Sequence, residues 1–455
     1  MVKKYLNKTS SSYTLAFYRI GFGALMCYSI ARFYLKGWIE EFYIEPDFHF
    51  SYYGFEWIKP IGEFTYLIFV VCFISSLFVM IGLKYKTSII LFFLSFTYIE
   101  LMDKTTYLNH YYFISILSFL LIFIPANATF SVDNIINQKK FTNIPRWSVD
   151  VLKLLITIVY LYAGIAKINS DWLIEAMPLK IWLQSKYDLP LIGGSLLQME
   201  WVHYAMSWGG MLYDLSIPFL LMINKTRIIA FILVLFFHVF TLILFPIGMF
   251  PHIMIFSSMI FFSSNFHEKI IYQIRQVITK VSKKVKPKKI EIETSDLYVI
   301  YKQNLTLFVV TSFFIIQILL PFRYQLYPGE LFWHEQGYRF SWRVMLIEKI
   351  GYTNFKIRSP NDGTSFMVDS SQHLTPFQLK QMSFQPDFIL EFAHYLGEKY
   401  STENNKVEVY AESFVALNGR PSKRFIDPDI NLINEQESFK DKTWILPLED
   451  EIKGI

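Results

Sequence analysis

Three short groups of residues end or interrupt long apolar stretches and could form a site for acid–base chemistry. In chain order they are Asp103-Lys104-Thr105 with Asn109-His110, then Lys167, then Gly248-Met249-Phe250. Polar groups at membrane depth are costly, which makes them candidates for function. Desolvation near a bilayer interface favours the uncharged form of a lysine, and an uncharged amine can act as a general base. The natural substrate of such a base is a lipid-soluble weak acid, and a hydroquinone fits that description.

The same residues also have structural interpretations. Lys167 can extend its ammonium group to the membrane interface, as lysines near helix ends often do. His110 can pair with its neighbour Asn109. Arg19 lies inside the first apolar stretch, where we expect it to pair with a carboxylate or with backbone carbonyls. The residues alone favour neither of the two roles of Lys167, the general base and the interfacial lysine, over the other.

Other chemistries are poorly supported by the motifs. His203, His238 and His252 are too scattered for a metal site, and no HxxxH or HxxHH box of a membrane di-iron desaturase occurs. Tyr213-Asp214 resembles one half of an intramembrane aspartyl protease, but a second membrane aspartate in a GxGD setting is missing. GxSxG, HExxH and P-loop motifs are also absent from the sequence. We therefore predict no metal.

The elements that position these residues must be membrane helices. Of the 455 residues, 53% are hydrophobic and 18% are charged, whereas a typical soluble domain has about 25% charged residues. This composition excludes a disordered chain and an ordinary soluble enzyme. The two cysteines, Cys27 and Cys72, are too few for a disulfide scaffold or an iron–sulfur cluster. Runs of about 20 apolar residues predict spans near 13–35, 63–83, 87–102, 110–127, 150–168, 203–223, 227–246, 249–264 and 303–322.

The distribution of basic residues predicts the orientation. If the N-terminus is cytoplasmic, the inner segments up to residue 290 hold 18 Lys and Arg, and the outer loops hold five. Cytoplasmic loops are the ones enriched in Lys and Arg, so we expect this orientation, with the tail outside. The stretch 267–289 reads as a basic amphipathic helix on anionic membrane lipid. Binding of nucleic acid is the poorer interpretation, because this stretch lies between two spans.

The tail reads as a small extracytoplasmic α+β domain. Val407, Val409 and 414–417 suggest a strand, and Asn418-Gly419 is typical of a type I′ turn. The stretch 376–400 reads as one amphipathic helix. The sequence thus predicts an α-helical polytopic membrane protein of about nine transmembrane helices over 1–322, with an α+β domain over 323–455.

Several runs carry a resemblance to a known family. They are 101–105 with Asn109-His110, 163–168 with Asp171-Trp172, 244–250, Tyr338 with Ser341 and Trp342, and 415–420 with 424–428. These runs resemble, in that order, LLDKTSWNNH, AGxKKLDADW, LFSIGMF, YxYSW and VSINDRxxxRxFDPR of the vitamin K-dependent γ-carboxylases. The resemblance includes the bacterial relatives that have a horizontally transferred transmembrane domain, and its matches spread over about 13–448.

The resemblance implies a coupled reaction. A base deprotonates vitamin K hydroquinone, which reacts with O₂ to give a strongly basic oxygenated intermediate. That intermediate removes a γ-proton from a peptide glutamate, CO₂ adds to the carbanion, and the quinone leaves as its epoxide. The family's base falls on Lys167 and its important histidine on His110, so Lys167 is favoured as the base.

The resemblance also implies the binding residues. We expect the quinone or the substrate to contact Asn109, Asp103, Lys104, Gly248, Met249 and Phe250. We expect Tyr338, Ser341, Trp342 and Arg420 of the tail to line a groove for a glutamate-containing peptide.

Some positions depart from the family pattern, and alternatives follow from them. Ala166 replaces the first of two family lysines, Asn169 stands where the family has an acid, and the animal enzymes' further β-rich domain would have to follow Ile455. Menaquinol is the expected hydroquinone if the source is a bacterium. An uncoupled hydroquinone epoxidase and a non-catalytic quinone- or lipid-binding protein of the same fold stay open. A transporter is disfavoured, because the polar groups gather at one face and not at mid-bilayer.

Overall fold

The chain folds into a helical bundle with a mixed domain at one end. A computed structural model describes residues 2–282 and 292–454. Its bundle helices and their connecting helices are α1 Val2–Leu6, α2 Tyr13–Leu35, α3 Thr65–Ile81, α4 Tyr85–Leu101, α5 Asn109–Phe123, α6 Val132–Ile136, α7 Trp147–Ile165, α8 Ser170–Leu173, α9 Leu179–Gln184, α10 Glu200–Met222, α11 Arg227–Leu244, α12 Phe250–Ser258, α13 Ser264–Ser282 and α14 Gln303–Leu319. The tail contains α15 Leu331–His334, α16 Pro376–Met382 and α17 Pro386–Tyr400. The strands are β1 Thr9–Ser11, β2 Lys139–Pro145, β3 Glu293–Leu297, β4 Lys349–Arg358, β5 Ser365–Val368, β6 Glu408–Leu417 and β7 Lys423–Arg424.

A helix lies in each of the nine stretches that the sequence predicts to span the membrane. Within the described residues, five helical segments are long and apolar enough to cross a bilayer: those of α2, α3, α7, α11 and α14. Helices α5 and α12 are apolar but shorter. The protein is therefore a mostly helical membrane protein with five candidate spans, and the nine-span count stays a prediction.

Arg19 shows how the bundle accommodates a charge. Its side chain is fully buried and donates to the carbonyl oxygens of Val79 at 2.9 Å, Ala126 at 3.0 Å and Phe130 at 2.5 Å. The carbonyls near helix ends have no intrahelical partner, so they can accept these bonds. The expected structural pairing of Arg19 with backbone carbonyls is confirmed.

A small sheet that the sequence did not predict joins three distant segments. Strand β1 pairs antiparallel with β2, and β2 pairs parallel with β3. All three strands belong to segments assigned by their basic residues to the inner side of the membrane. Their pairing requires these segments to lie on one side of the bundle.

The structure describes part of the basic amphipathic helix that the sequence predicts over 267–289. The helix α13 covers Ser264–Ser282, as the amphipathic pattern predicts. Residues 283–289 of the predicted helix lie outside the described residues.

The tail is a four-stranded antiparallel sheet with two helices packed on it. The strand order is β5-β4-β6-β7, and the strand predicted around Val409 is confirmed as β6. The single helix predicted over 376–400 is wrong, because it is two helices, α16 and α17. Pro386 disfavours a helical conformation for the residue before it, and Gln385 accordingly has extended backbone angles of −110° and 119°.

The turn after β6 has the predicted conformation. Asn418 and Gly419 have positive φ angles of 48° and 78°, and the N–H of Arg420 donates to the carbonyl of Leu417 at 3.0 Å. Positive φ at both central residues defines a type I′ turn.

The tail packs directly on one end of the bundle. The ring of Phe388 stacks on Phe50 at 4.7 Å, and Phe340 contacts Tyr107 and Tyr112 with ring centroids 5.0 and 4.9 Å apart. The segment 337–345 enters the bundle, with Trp342 1% exposed and fully buried there. This insertion brings tail residues beside the helix ends that carry the candidate site.

Candidate active site

Lys167 forms a buried ion pair with Asp214. Its Nζ lies 2.8 Å from Asp214 Oδ2, and both side chains are 8% exposed. The same nitrogen donates to the carbonyl of Ala163 at 3.0 Å and lies 5.4 Å from the centre of the Trp172 ring. Lys167 is therefore not a lysine that reaches water at the interface, because its charged end is held inside the protein.

Local sequence explains why the two helices bring this pair together. A Cβ added at Gly164 would lie 2.8 Å from side-chain atoms of Leu215, so the glycine lets α7 and α10 approach closely. Pro218 lies inside α10 and has no N–H for the carbonyl of Asp214. Asn169 ends the lysine-bearing segment as the N-cap of α8, accepting from the N–H of Trp172 at 2.9 Å. Asn169 thus has a structural role at the position where the family has an acid.

The ion pair lies in the wall of an apolar cavity. Apolar cavities with a few polar groups are typical of small-molecule sites. Hydrophobic side chains dominate the lining, and the charged or polar residues are few. The lining residues from four parts of the chain include Val159, Ala163, Trp172, Met206, Phe237, Phe245, Ile247, Phe250, Met254, Val344 and Met345.

A second polar pair lies on the same wall. The hydroxyl of Tyr160 and Nε2 of His238 are 3.1 Å apart. The other ring nitrogen of His238, Nδ1, is buried and finds no hydrogen-bond partner among the described residues. This nitrogen is available to a polar atom of a bound ligand.

Sequence reasoning missed Asp214 and His238 as parts of this site. Asp214 was weighed only as half of a protease, and His238 only as a metal ligand. The signal was a carboxylate and an imidazole inside apolar helices, where each needs a partner. Asp214 is 47 residues from Lys167, and nothing in the sequence alone states which helices touch.

His110 lies in the wall of a larger, neighbouring cavity of about 890 Å³. Its ring is 4.7 Å from Tyr111 and 6.1 Å from Phe250. Asn109, Gly248, Met249 and Phe250 also line this cavity, together with Arg32 and His252. Asn109 bonds to Tyr107 and to the carbonyl of Arg343, so its contacts are not those of the predicted pair with His110.

The two cavities share one partition. Phe245, Ile247, Phe250, Val344 and Met345 line both of them. The structure therefore brings Lys167, Asn109-His110 and Gly248-Met249-Phe250 to one region, with Lys167 on one side of Phe250 and His110 on the other.

Asp103 and Lys104 lie apart from both cavities, at the contact with the tail. Asp103 accepts from the N–H of Thr105 at 2.8 Å and from Gln378 Nε2 at 3.2 Å. Burial raises the pKa of Asp103 to about 7. Lys104 Nζ is buried 3.1 Å from Asp387 and 2.9 Å from Glu391. Their expected contact with a quinone has no support in this position, because both side chains join the bundle to α16 and α17.

Of the four tail residues predicted to line a peptide groove, Ser341 and Trp342 are buried and Arg420 is held in ion pairs. Tyr338 and Ser341 bond to each other through the Ser341 hydroxyl and the Tyr338 carbonyl. Trp342 packs 5.0 Å from Tyr112, so the structure corrects its placement: it is inside the core and not in an open groove. Its role is to anchor the segment whose Val344 and Met345 line the two cavities.

Arg420 is already held by two carboxylates. Its Nη1 and Nη2 each lie 2.7 Å from an oxygen of Asp171, and its Nε lies 2.6 Å from Asp450. The hydrogen bonds to Asp171 raise the pKa of Arg420 further above its ordinary value. Asp171 follows Lys167 by four residues, so this pair fixes the Lys167 segment to the turn of the tail.

Two family comparisons agree with this geometry. The HTTM domain matches residues 7–266, which is more than half of the chain. The family described as "Vitamin K-dependent gamma-carboxylase, lumenal domain" matches residues 302–451. A search of solved structures gave no match. The first match covers the helices that hold Lys167 and His110, and the second covers the tail that packs on them. The chain belongs to the vitamin K-dependent γ-carboxylase family.

Proposed function

We propose that the protein is a hydroquinone-dependent glutamyl carboxylase of the membrane. The observation that carries this proposal is the buried Lys167–Asp214 pair in the wall of an apolar cavity. The substrates are a hydroquinone, which is reduced vitamin K or menaquinol, together with O₂, CO₂ and a glutamate-containing peptide. In the balanced reaction the hydroquinone and O₂ give the quinone epoxide and water. The glutamate γ-carbon loses a proton and gains CO₂.

The ion pair supplies a proton acceptor without leaving a net charge in the apolar wall. Lys167 and Asp214 together are neutral whether the proton lies on the amine or on the carboxylate. In water the charged form dominates, but burial removes the solvation that stabilises both ions. The pair can therefore take one proton from a hydroxyl group in the cavity, and the hydroquinone anion that remains balances the added charge. In this account Asp214 also orients the Lys167 amine.

The cavity suits a naphthohydroquinone ring. Its apolar side chains would pack on the ring, and the unpartnered Nδ1 of His238 would bond to one ring oxygen. Water would be excluded, which protects a strongly basic species from protonation by solvent. We assign His110, across the shared partition at Phe250, to the step on the glutamate.

An uncoupled hydroquinone epoxidase is the second candidate. The observation that favours it is that the expected peptide anchors are occupied: Trp342 is buried, and Arg420 is bound by Asp171 and Asp450. In that case Lys167 keeps its role and the peptide step is absent.

We further propose how the chain crosses the membrane. All nine helices would span, the N-terminus would be cytoplasmic, and the domain from about residue 323 would be extracytoplasmic. The joining of β1, β2 and β3 supports it, because the three strands come from segments that this topology assigns to one side.

The direct test is the fate of the hydroquinone. Purified protein in lipid nanodiscs is incubated with reduced vitamin K or menaquinol and O₂, with and without a glutamate peptide, and the quinone products are separated by chromatography. Formation of the quinone epoxide by the wild-type protein supports the proposed chemistry. The chemistry is refuted if the wild-type protein and Lys167→Ala form the same product and that product is the quinone alone.

A further inference from the structure

A third cavity lies between the bundle and the tail, and the proposed reaction does not use it. Its volume is about 370 Å³, and none of its lining residues lines the Lys167 or the His110 cavity. Arg323, Tyr52 and Gln336 contribute polar groups to it. We call it the Arg323 pocket.

Arg323 differs from the other cations of the pocket. Lys104, Arg339 and Lys442 each have a carboxylate within 3.1 Å. In contrast, Arg323 makes no ion pair within the part of the chain that the structure describes. Its Nη2 donates to the carbonyl of Arg339, and its Nη1 is buried without a hydrogen-bond partner among the described residues. A buried guanidinium nitrogen without an acceptor is costly, so this nitrogen needs an acceptor, and an anion would also balance its charge.

Two further unpartnered groups define what else the ligand must carry. The hydroxyl of Tyr52, a residue that is 8% exposed, has no partner among the described residues, and neither has Oε1 of Gln336, which is 9% exposed. The amide nitrogen of Gln336 donates to Asp441 at 3.0 Å, which fixes the amide orientation and leaves the oxygen as an acceptor. The pocket thus offers donors for an anion and one acceptor for an N–H or O–H group.

The rim adds an apolar element. Tyr53, Phe55 and Phe439 line the pocket and are all exposed, with Phe439 at 78%. The rings of Tyr53 and Phe439 contact each other edge to face, 5.1 Å apart. Exposed aromatic side chains around a charged base suit a ligand with an apolar part near its anionic group.

We propose that the Arg323 pocket binds a carboxylate whose bearer also offers an N–H or O–H donor. The carboxylate pairs with Arg323 Nη1 and accepts from Tyr52, and the donor bonds to Gln336 Oε1. An acidic residue of a peptide has this chemistry, and so does a free small carboxylate. Carboxylate is favoured because one of its oxygens can accept from Arg323 Nη1 while the other accepts from the Tyr52 hydroxyl.

The test is equilibrium binding to the detergent-solubilised full chain. The probes are N-acetyl-glutamate amide, which mimics a peptide residue, and glycolate, a free carboxylate with an O–H donor. The neutral N-acetyl-glutamine amide has the shape of the first probe without its charge. The variants are Arg323→Gln and Tyr52→Phe, and the matched control is Arg358→Gln, which changes an exposed arginine of β4. Tyr52→Phe removes only a hydroxyl that has no partner among the described residues, so it tests the pocket even where Arg323→Gln is poorly folded.

We expect the glutamate probe to bind about 10- to 100-fold more weakly to Arg323→Gln, as is typical for loss of a charged hydrogen bond. Tyr52→Phe weakens binding several-fold, and Arg358→Gln leaves it unchanged. Binding of glycolate equal to that of the glutamate probe identifies a free carboxylate as the ligand, and preference for the glutamate probe identifies a peptide residue.

Three results overturn the proposal. They are equal binding of the glutamine and glutamate probes, wild-type affinity in both Arg323→Gln and Tyr52→Phe, and no binding of either carboxylate at millimolar concentration. The measurements are repeated in a Lys167→Ala background, because the glutamate probe could also enter the proposed reaction site. Binding that Lys167→Ala abolishes and Arg323→Gln does not belongs to that site and also overturns the proposal.

Discussion

Removing the Lys167 amine should abolish hydroquinone epoxidation. General-base help is worth about 10²- to 10⁴-fold, so Lys167→Ala should lower the rate of epoxide formation by a factor of this size. The change also leaves Asp214 buried without its partner at 2.8 Å. Breaking a buried ion pair costs about 3–5 kcal/mol of folding free energy, so the loss of rate must be separated from a loss of folded protein.

Three variants separate the chemical loss from the structural one. Lys167→Met combined with Asp214→Asn removes both charges, so a folded but inactive double variant identifies a chemical defect. Lys180→Ala is the matched control, because Lys180 is partly exposed and pairs with Glu200 at 3.3 Å. It should retain wild-type rates. Asp214→Asn alone should lower the rate of epoxide formation, because the Lys167 amine loses the carboxylate that orients it at 2.8 Å.

The sharpest form of the assay adds a small primary amine to Lys167→Ala. The missing side chain leaves space in the cavity wall, and an amine that enters it should partly restore epoxide formation. The restored rate should rise with the free-base fraction of the amine as pH rises. Epoxide formation by folded Lys167→Ala at a near-normal rate would refute the assignment, and Lys167 would then be a structural partner of Asp214.

Other predictions concern the His110 cavity, the pair of Arg420 with Asp171, the buried Asp103 and the topology. His110→Ala should lower carboxylation more than epoxidation when both products are measured in one reaction, and an equal loss of both would contradict its separate role. Arg420→Ala should lower the thermal midpoint by removing about 1.5–3 kcal/mol of charged hydrogen bonding to Asp171. A loss of peptide binding at unchanged stability would instead identify Arg420 as a peptide-binding residue. Because burial raises the folded pKa of Asp103 to about 7, folded protein holds its proton more tightly than unfolded protein, so stability should fall from about pH 4 to about pH 7. Asp103→Asn should flatten that part of the profile of thermal midpoint against pH, and an unchanged profile would contradict it. A cysteine at Ser401 in a variant without Cys27 and Cys72 should react with an impermeant reagent in intact cells, and labelling confined to α13 positions would contradict the orientation.

The helices were predictable because their signal is local. Each long apolar run forms a helix, and Arg19 could be assigned a structural role because a buried guanidinium must find carbonyls or carboxylates. Breaks were harder to place: Pro386 was read as part of one amphipathic helix although proline disfavours helix at the residue before it. The strands β1, β2 and β3 are short, and their pairing depends on segments far apart in the chain.

The candidate site was predictable in part. Lys167 and His110 came from family motifs and from the cost of polar groups near a membrane. Asp214 carried the same cost, but its partner depends on how α7 packs on α10. The depth of Trp342 was also beyond the sequence, since an aromatic residue near a motif fits a groove and a core equally well. Which side chains meet is a tertiary property, and the periodicity of single helices does not contain it.

The measurement that tests the central claim most directly is mass spectrometry of a glutamate peptide. Folded protein in nanodiscs is incubated with reduced quinone, O₂, isotopically labelled bicarbonate and the peptide, beside the Lys167→Ala variant. We expect labelled γ-carboxyglutamate and quinone epoxide with the wild-type protein, and neither product with the variant. Epoxide without labelled peptide would identify the uncoupled epoxidase, and the absence of both products from folded wild-type protein with either quinone would contradict the account.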